Sequence, residues 1–377
     1  MGTFSSPIIL LFLGGFFLAL ASSKYKLDRN LARILLKPFG SDPRAVMFGL
    51  MLITAIFSMF MSNTATTAMM LAILTPVLAF FPSDDPGRKA FVLGIPVAAN
   101  IGGIGTPIGT PPNAVAMKYF IGEQSISFSK WMSFGIPFVV ILLLISWVLL
   151  LSFFPPKQKT IEVNIKGSFL KSWQAITVYG TFILTIGLWL TENLHGMSSY
   201  VVGIIPVTIF VLTKIITGED MRKLNWDVLW LISGGIALGL GMEQTGLSKN
   251  LIASIPFDAL PPTFIVLIGS SIALAMATLM SHTATANLLL PIMAALGSSI
   301  SSLANIGGGQ MLILVVALSC SMGMALPISS PPNALAYASG QIKSKDMMKA
   351  GGLISVIGLG LIFALAFILE KLGFYVP

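Results

Sequence analysis

The sequence predicts an all-α polytopic membrane protein built from two inverted repeats, each holding a re-entrant hairpin and a broken helix. Three observations carry that prediction. First, 55% of the 377 residues are hydrophobic and 10% are charged, where a soluble domain carries about 25% charged residues. Second, the chain repeats itself. "SNTATTAMMLAILTP" begins at Ser62 and "SHTATANLLLPI" at Ser281, while "NIGGIGTPIGTPPNAV" begins at Asn100 and "MALPISSPPNAL" at Met324. Gly14 pairs with Gly234, Asn30 with Asn250, Ser62 with Ser281 and Pro111 with Pro331, always at an offset of 219 or 220. Third, 18 of the 22 Lys and Arg residues fall in the segments 24–44, 82–90, 155–172, 214–226 and 341–350. Basic loops stay on the cytoplasmic side. The net charge of +8 is therefore a topology signal and does not call for nucleic acid.

The elements follow in order. Residues 5–22 read as a spanning helix and not as a cleaved signal, because the double glycine Gly14-Gly15 recurs inside the chain at Gly234-Gly235. The segment 24–44 carries six basic residues and its partner 244–262 carries one. The first is cytoplasmic and the second external, so the repeats are inverted. Apolar stretches 46–61 and 65–81 flank the first polar tip, and 262–280 and 284–301 flank the second. A polar break is tolerated where backbone is buried in protein or lines a watery cavity, so each pair reads as a hairpin stopping near the bilayer middle. Stretches 131–154, 173–191, 200–217, 228–243 and 351–370 have spanning length. Repeat two is preceded by 173–191 and 200–217, for which repeat one has no counterparts. Internal symmetry thus leads one to expect two further N-terminal helices.

The chemistry lies in the breaks. All 14 acidic residues fall in loops or at helix ends, which argues against the intramembrane carboxylate of a proton-coupled carrier. Hydroxyls, amides and freed carbonyls suit a hard cation such as sodium. The same tips offer donors and helix N-termini, which suit an anion. A cation and an anion side by side ease each other's burial. The two tips therefore read as halves of one midplane site. A single Ser-Asn-Thr would more simply be helix glue, but here the pattern recurs at equivalent repeat positions. The double glycines read as packing positions, Cys320 as a small buried apolar side chain and His195 as a solvated loop residue. No metal-ligand cluster and no phosphate loop is present. A Ser281–His282 hydrolase fails because adjacent helix residues do not face each other.

With "SNT" at 62–64, "SHT" at 281–283, "GTPIGTPPN" at 105–113 and "PISSPPN" at 327–333, the chain closely resembles the divalent anion:sodium symporter family along essentially its whole length. The resemblance implies a homodimeric elevator in the plasma membrane. It implies scaffold helices at 1–22, 131–243 and 343–377, and a moving transport domain at 46–130 and 262–342. A cytoplasmic arm at 23–45 and an external arm at 244–261 would join them. It places a first sodium site at Ser58, Ser62, Asn63 and the Gly109 carbonyl. It places a small dianionic substrate at Asn63, Thr64, Thr110, Pro111, His282, Thr283, Ser330 and Pro331. A second sodium site would use Met280, Ser281, His282 and Ser329. Here the chain departs from the family, with His282 in place of Asn and Ala277 in place of a hydroxyl. The expectation is a secondary carrier of succinate, malate or fumarate, coupled to sodium, in contact with lipid and without organic cofactor. A sulfate carrier, a sodium-independent exchanger and a non-transporting truncated remnant are the alternatives. His282 stands as the one ionisable side chain expected at the site.

Overall fold

The computed structural model describes residues 6–120, 122, 125–162, 167–246 and 260–375. All regular structure among them is helical. In chain order the principal helices are α1 (Pro7–Lys24), α2 (Leu27–Leu36), α3 (Pro43–Phe60), α4 (Asn63–Leu78), α5 (Gly87–Gly102), α6 (Pro111–Met117), α7 (Phe128–Phe153) and α8 (Trp173–Leu190). They continue with α9 (Ser199–Leu212), α10 (Trp226–Gln244), α11 (Pro262–Leu279), α12 (His282–Ser299), α13 (Gly308–Cys320), α14 (Pro331–Ala338) and α15 (Ser344–Lys371). Six of them, α1, α3, α7, α8, α11 and α15, are long and apolar enough to cross a membrane. Most of the expected external arm, 247–259, lies outside the described residues.

Each hairpin turns in two residues. Met61 and Ser62 separate α3 from α4, and Met280 and Ser281 separate α11 from α12. Met61 and Met280 are extended, and each still donates its N–H to the last turn of the helix before it, at 2.8 and 2.7 Å. The broken helices are held open by asparagine. Asn113 Nδ2 donates to the carbonyls of Gly103 (3.1 Å) and Thr106 (2.8 Å). Its repeat counterpart Asn333 donates to Leu326, the counterpart of Thr106, at 2.9 Å. These bonds satisfy carbonyls that the unwound stretch has lost from its ladder.

The repeats interlock. Helix α6 of the first packs on α12 and α13 of the second, and α14 of the second packs on α4 and α5 of the first. Helices α7 and α15 extend the correspondence: α7 packs on α5 and its 3₁₀ continuation, Gly103–Gly105, and α15 on α13. Trp131 of α7 donates to the Ile104 carbonyl at 2.9 Å. Gly351 of α15 lies against the carbonyl of Met324, the counterpart of Ile104, so closely that a Cβ would come within 2.1 Å of it. The expected scaffold stretches 131–243 and 343–377 thus each include a helix that packs against the hairpins and broken helices. Helices α7 and α15 sit on the hairpins and broken helices, whereas α8, α9 and α1 form a separate stack. Apolar span length alone does not tell these two groups apart.

Inversion is visible in the loops. Where the α4–α5 connection enters α5 it meets the α14–α15 connection and the start of α15, through Lys89–Asp346 at 2.9 Å and Arg88–Gln341 at 3.0 Å. These connections are not repeat counterparts, so sharing one face requires the second repeat to be upside down relative to the first. All five basic loops join this face. Asp85 accepts from the Lys157 and Gln158 N–H groups at 2.9–3.1 Å. Ile161 donates to Ser41 at 2.9 Å, and Lys24 reaches Asp220 at 2.5 Å. The opposite face joins the start of α7 to the ends of α8 and α15, with Phe128 stacked on Trp189 and Lys130 over Phe374.

The double glycines are contact points. Gly14 of α1 touches Gly203 of α9, where a Cβ would come within 2.1 Å of the Gly203 carbonyl oxygen. Gly235 of α10 makes room for Asn287 of α12, whose Nδ2 donates to the Leu231 carbonyl at 2.9 Å. Cys320 is fully buried in the core. His195 is no solvated bystander. Its Nδ1 accepts from the Met197 N–H at 3.0 Å, which leaves Nε2–H to donate to the Leu188 carbonyl at 2.8 Å and close the end of α8.

Candidate functional site

A cavity of about 510 Å³ lies between the two hairpin tips. Ser62, Asn63 and Thr64 line one side and Ser281, His282 and Thr283 the other. Gly109, Thr110 and Pro111 of the first break complete the wall with Ser329, Ser330 and Pro331 of the second. Of the residues that the sequence singles out, Ser58 sits behind the wall and Met280 is absent from it.

Oxygen atoms converge behind the first tip. Ser58 Oγ lies 2.5 Å from Asn63 Oδ1 and 2.8 Å from the Ala99 carbonyl, so one hydroxyl proton serves two acceptors. Gly103 presses against this group: a Cβ there would sit 2.9 Å from both Asn63 Oδ1 and the Gly109 carbonyl oxygen. Such a cluster has many oxygens and few protons. It has the character of a site for a hard cation.

The second tip differs. His282 is buried, and its Nε2 lies 2.8 Å from the carbonyl of Gly323, the repeat counterpart of Gly103. A carbonyl can only accept, so Nε2 carries the proton. Ser329 Oγ donates to the Thr278 carbonyl at 2.8 Å, and Ser281 Oγ accepts from the Ala284 N–H at 3.1 Å. Ala277 supplies no side-chain oxygen. Two carbonyls beside this tip, those of Gly323 and Thr278, already receive the His282 N–H and the Ser329 O–H. The second cation site expected at Met280, Ser281, His282 and Ser329 is therefore poorer in free oxygen than the first.

Anion donors are distributed unevenly. The restarting helices α6 and α14 each begin with two prolines, which carry no N–H. Their first amides are taken up locally, Asn113 N–H by Thr110 at 3.2 Å and Asn333 N–H by Ser330 Oγ at 3.4 Å. At these restarts the first available N–H groups are therefore already engaged. The starts of α4 and α12, at Asn63-Thr64 and His282-Thr283, remain as helix N-termini facing the cavity. With them come the hydroxyls of Thr64, Thr110, Thr283 and Ser330.

The sequence reading missed part of the wall. Phe12 and Phe16 of α1 form an apolar side. Asn100, a lone amide before a glycine pair, also lines the cavity. Asn225 and Asp227 reach it from the start of α10, beside the basic loop 214–226. His282 is thus not the one ionisable side chain there, and the cavity extends toward the basic face. A carboxylate at a helix start carried no sequence mark of facing a cavity.

Residues 1–307 match the citrate transporter family, CitMHS. The sodium-dependent dicarboxylate transporter SdcS of Staphylococcus aureus, in strains NCTC 8325 / PS 47 and COL, is 31% identical over 394 residues, covering 94% of this chain and 74% of the relative. Among solved structures, the YdaH transporter of Alcanivorax borkumensis, whose crystal structure is described as an unusual topology, superposes with a TM-score of 0.61. That match covers 99% of this chain and 87% of the other at 15% identity, so it bears on the fold alone. The apolar spans, the paired polar tips and these matches agree: the chain belongs to the citrate transporter family and to the divalent anion:sodium symporters, and it is a multi-pass transporter of the plasma membrane, not an enzyme.

Proposed function

We propose that this transporter is a secondary carrier that moves a small dicarboxylate dianion together with sodium. One observation carries the reading. An oxygen cluster of Ser58, Asn63, Ala99, Gly103 and Gly109 stands directly beside a cavity lined by Thr64, Thr110, Thr283 and Ser330. No Lys or Arg lines that cavity among the described residues. A buried dianion without a cationic side chain needs a companion cation, since each ion lowers the other's desolvation cost. The similarity to SdcS, a sodium-dependent dicarboxylate transporter, supports sodium and a dicarboxylate. The hairpins, broken helices, α7 and α15 form the moving unit of a homodimeric elevator, and α1, α8, α9 and α10 form its scaffold. The His282 Nε2–H already occupies the Gly323 carbonyl beside the second tip, which makes this carrier less steeply sodium-dependent than one with Asn there.

The test is uptake of labelled succinate, citrate and sulfate into proteoliposomes, with and without an inward sodium gradient. Succinate uptake that needs the gradient supports the reading. Uptake driven equally well by trans-dicarboxylate without sodium makes the protein an exchanger. Sulfate uptake without succinate uptake assigns a different dianion.

A further inference from the structure

We propose that Asn100 is a positioning residue that couples the cation pocket of the first repeat to the anion-facing turn of the second. The proposal rests on the transport reading above and adds the route by which the two ligands sense each other. Asn100 belongs to α5 of the first repeat and is 1% exposed. Both of its Nδ2 bonds go to the second repeat, to Ser330 Oγ at 3.2 Å and Asn333 Oδ1 at 3.1 Å. Ser330 caps α14 and lines the cavity. The neighbouring residue, Ala99, gives its carbonyl to Ser58 at 2.8 Å, inside the cation pocket. One peptide unit therefore faces the cation on one side and orients the anion-facing hydroxyl on the other.

The repeat supplies its own comparison. The counterpart of Asn100 is Cys320, and the counterpart of Asn333 is Asn113. Helix α13, which carries Cys320, packs on α6, which carries Asn113. A thiol cannot supply the two amide hydrogens, and Asn113 Oδ1 is a buried acceptor without a partner. The cross-repeat bond thus exists in one direction only. The first repeat's cation pocket is wired to the second repeat's turn, and among the described residues no bond between Cys320 and Asn113 mirrors it.

Coupling between two ligands is reciprocal, which gives a readout that a merely structural residue would not move. Succinate affinity is measured at low and at saturating sodium, and sodium affinity with and without succinate, on the purified full chain. Wild type is expected to show a coupling factor of roughly fivefold or more, the same from either side. Asn100→Ala should bring both ratios toward one while sodium alone still raises the melting temperature. Asn100→Ser, which keeps one short donor, should fall between. If Asn100→Ala retains the wild-type ratio, the proposal is overturned. If it does not fold, Asn100→Ser decides, and a wild-type ratio there overturns it equally. Cys320→Asn should supply the missing donor to Asn113 and raise the melting temperature in the absence of ligands. No gain would show that the orphaned acceptor does not arise from this exchange and would remove the repeat argument. Absence of any sodium effect on wild-type binding of succinate, citrate or sulfate would instead refute the transport reading itself.

Discussion

Asn63→Ala probes the oxygen cluster at its centre. Asn63 Oδ1 receives Ser58 Oγ at 2.5 Å and lies beside the Gly103 and Gly109 backbone. Truncation removes this oxygen, yet Ser58 keeps the Ala99 carbonyl at 2.8 Å, so no buried hydroxyl is stranded. The stability cost should therefore stay near that of one neutral hydrogen bond, about 1 kcal/mol. Ligand binding should suffer more. A bond to a charged partner is worth about 1.5–3 kcal/mol, and every ~1.4 kcal/mol is tenfold in affinity. Sodium affinity should fall by roughly tenfold to a hundredfold. Succinate affinity at fixed sodium should fall with it, because Asn63 also lines the cavity. The assay is a sodium titration of succinate binding to purified protein, with thermal unfolding as the control for folding. A variant that unfolds like wild type and keeps its sodium curve would refute the placement of the cation. A variant that loses several degrees of melting temperature without loss of affinity would recast the cluster as structural.

Other outcomes follow from the same geometry. His282→Asn with Ala277→Thr should free the Gly323 carbonyl and add a hydroxyl, steepening the sodium dependence of uptake; an unchanged Hill slope would reduce His282 to a packing residue. Lys118→Met and Lys130→Met should leave succinate affinity within about twofold, since Lys118 lies over the Tyr119 ring and Lys130 over Phe374, both half-buried and outside the cavity; such cation–ring contacts are worth about 0.5–2 kcal/mol of stability. Burial alone would raise the Asp220 carboxyl, but Lys24 and Thr217 outweigh it and hold the group down from 3.8 to about 2. Its stabilisation is therefore complete above pH ~4 and lost as pH falls through about 2. Asp220→Asn should cost on the order of 1–2 kcal/mol at neutral pH, discounted because Lys24 keeps 34% of its side chain exposed, and should flatten acid unfolding in that window. A variant with the wild-type acid profile would show that the pair contributes nothing measurable.

The polar tips and the Gly/Pro breaks could be read from sequence because unusual residues recur in them at one offset. Ser62 and Ser281, or Asn113 and Asn333, are conspicuous against Leu, Ile and Val. The correspondence of α7 with α15 was not legible for the converse reason: Leu, Ile, Val and Phe substitute freely on lipid-facing helices and leave no register mark. The partner of Asn100 lies 230 residues away, and nothing local announces a bond across that distance. The lack of N–H at Pro111-Pro112 and Pro331-Pro332, by contrast, was written in the sequence. Only the local bonding of Asn113 and Asn333 shows that the following amides do not replace it. Asp227 sits in the first turn of its helix, where an acidic residue favours the helix dipole, so its place on the cavity wall needed three-dimensional packing to be seen.

The exchange of short helices between the repeats has a consequence for biosynthesis. When the ribosome has finished the first repeat, α6 lacks the main surfaces it rests on, because α12 and α13 are not yet made. At 5–20 residues per second, that wait lasts roughly ten seconds or more. The polar tip at Ser62–Thr64 and the unwound Thr106–Thr110 stretch must spend this interval near the insertion machinery and away from lipid, where unsatisfied backbone is costly. Neither half can reach its final burial alone. A gene cut within the loop 155–172 should therefore yield two fragments that are each degraded when expressed singly and rescued when expressed together.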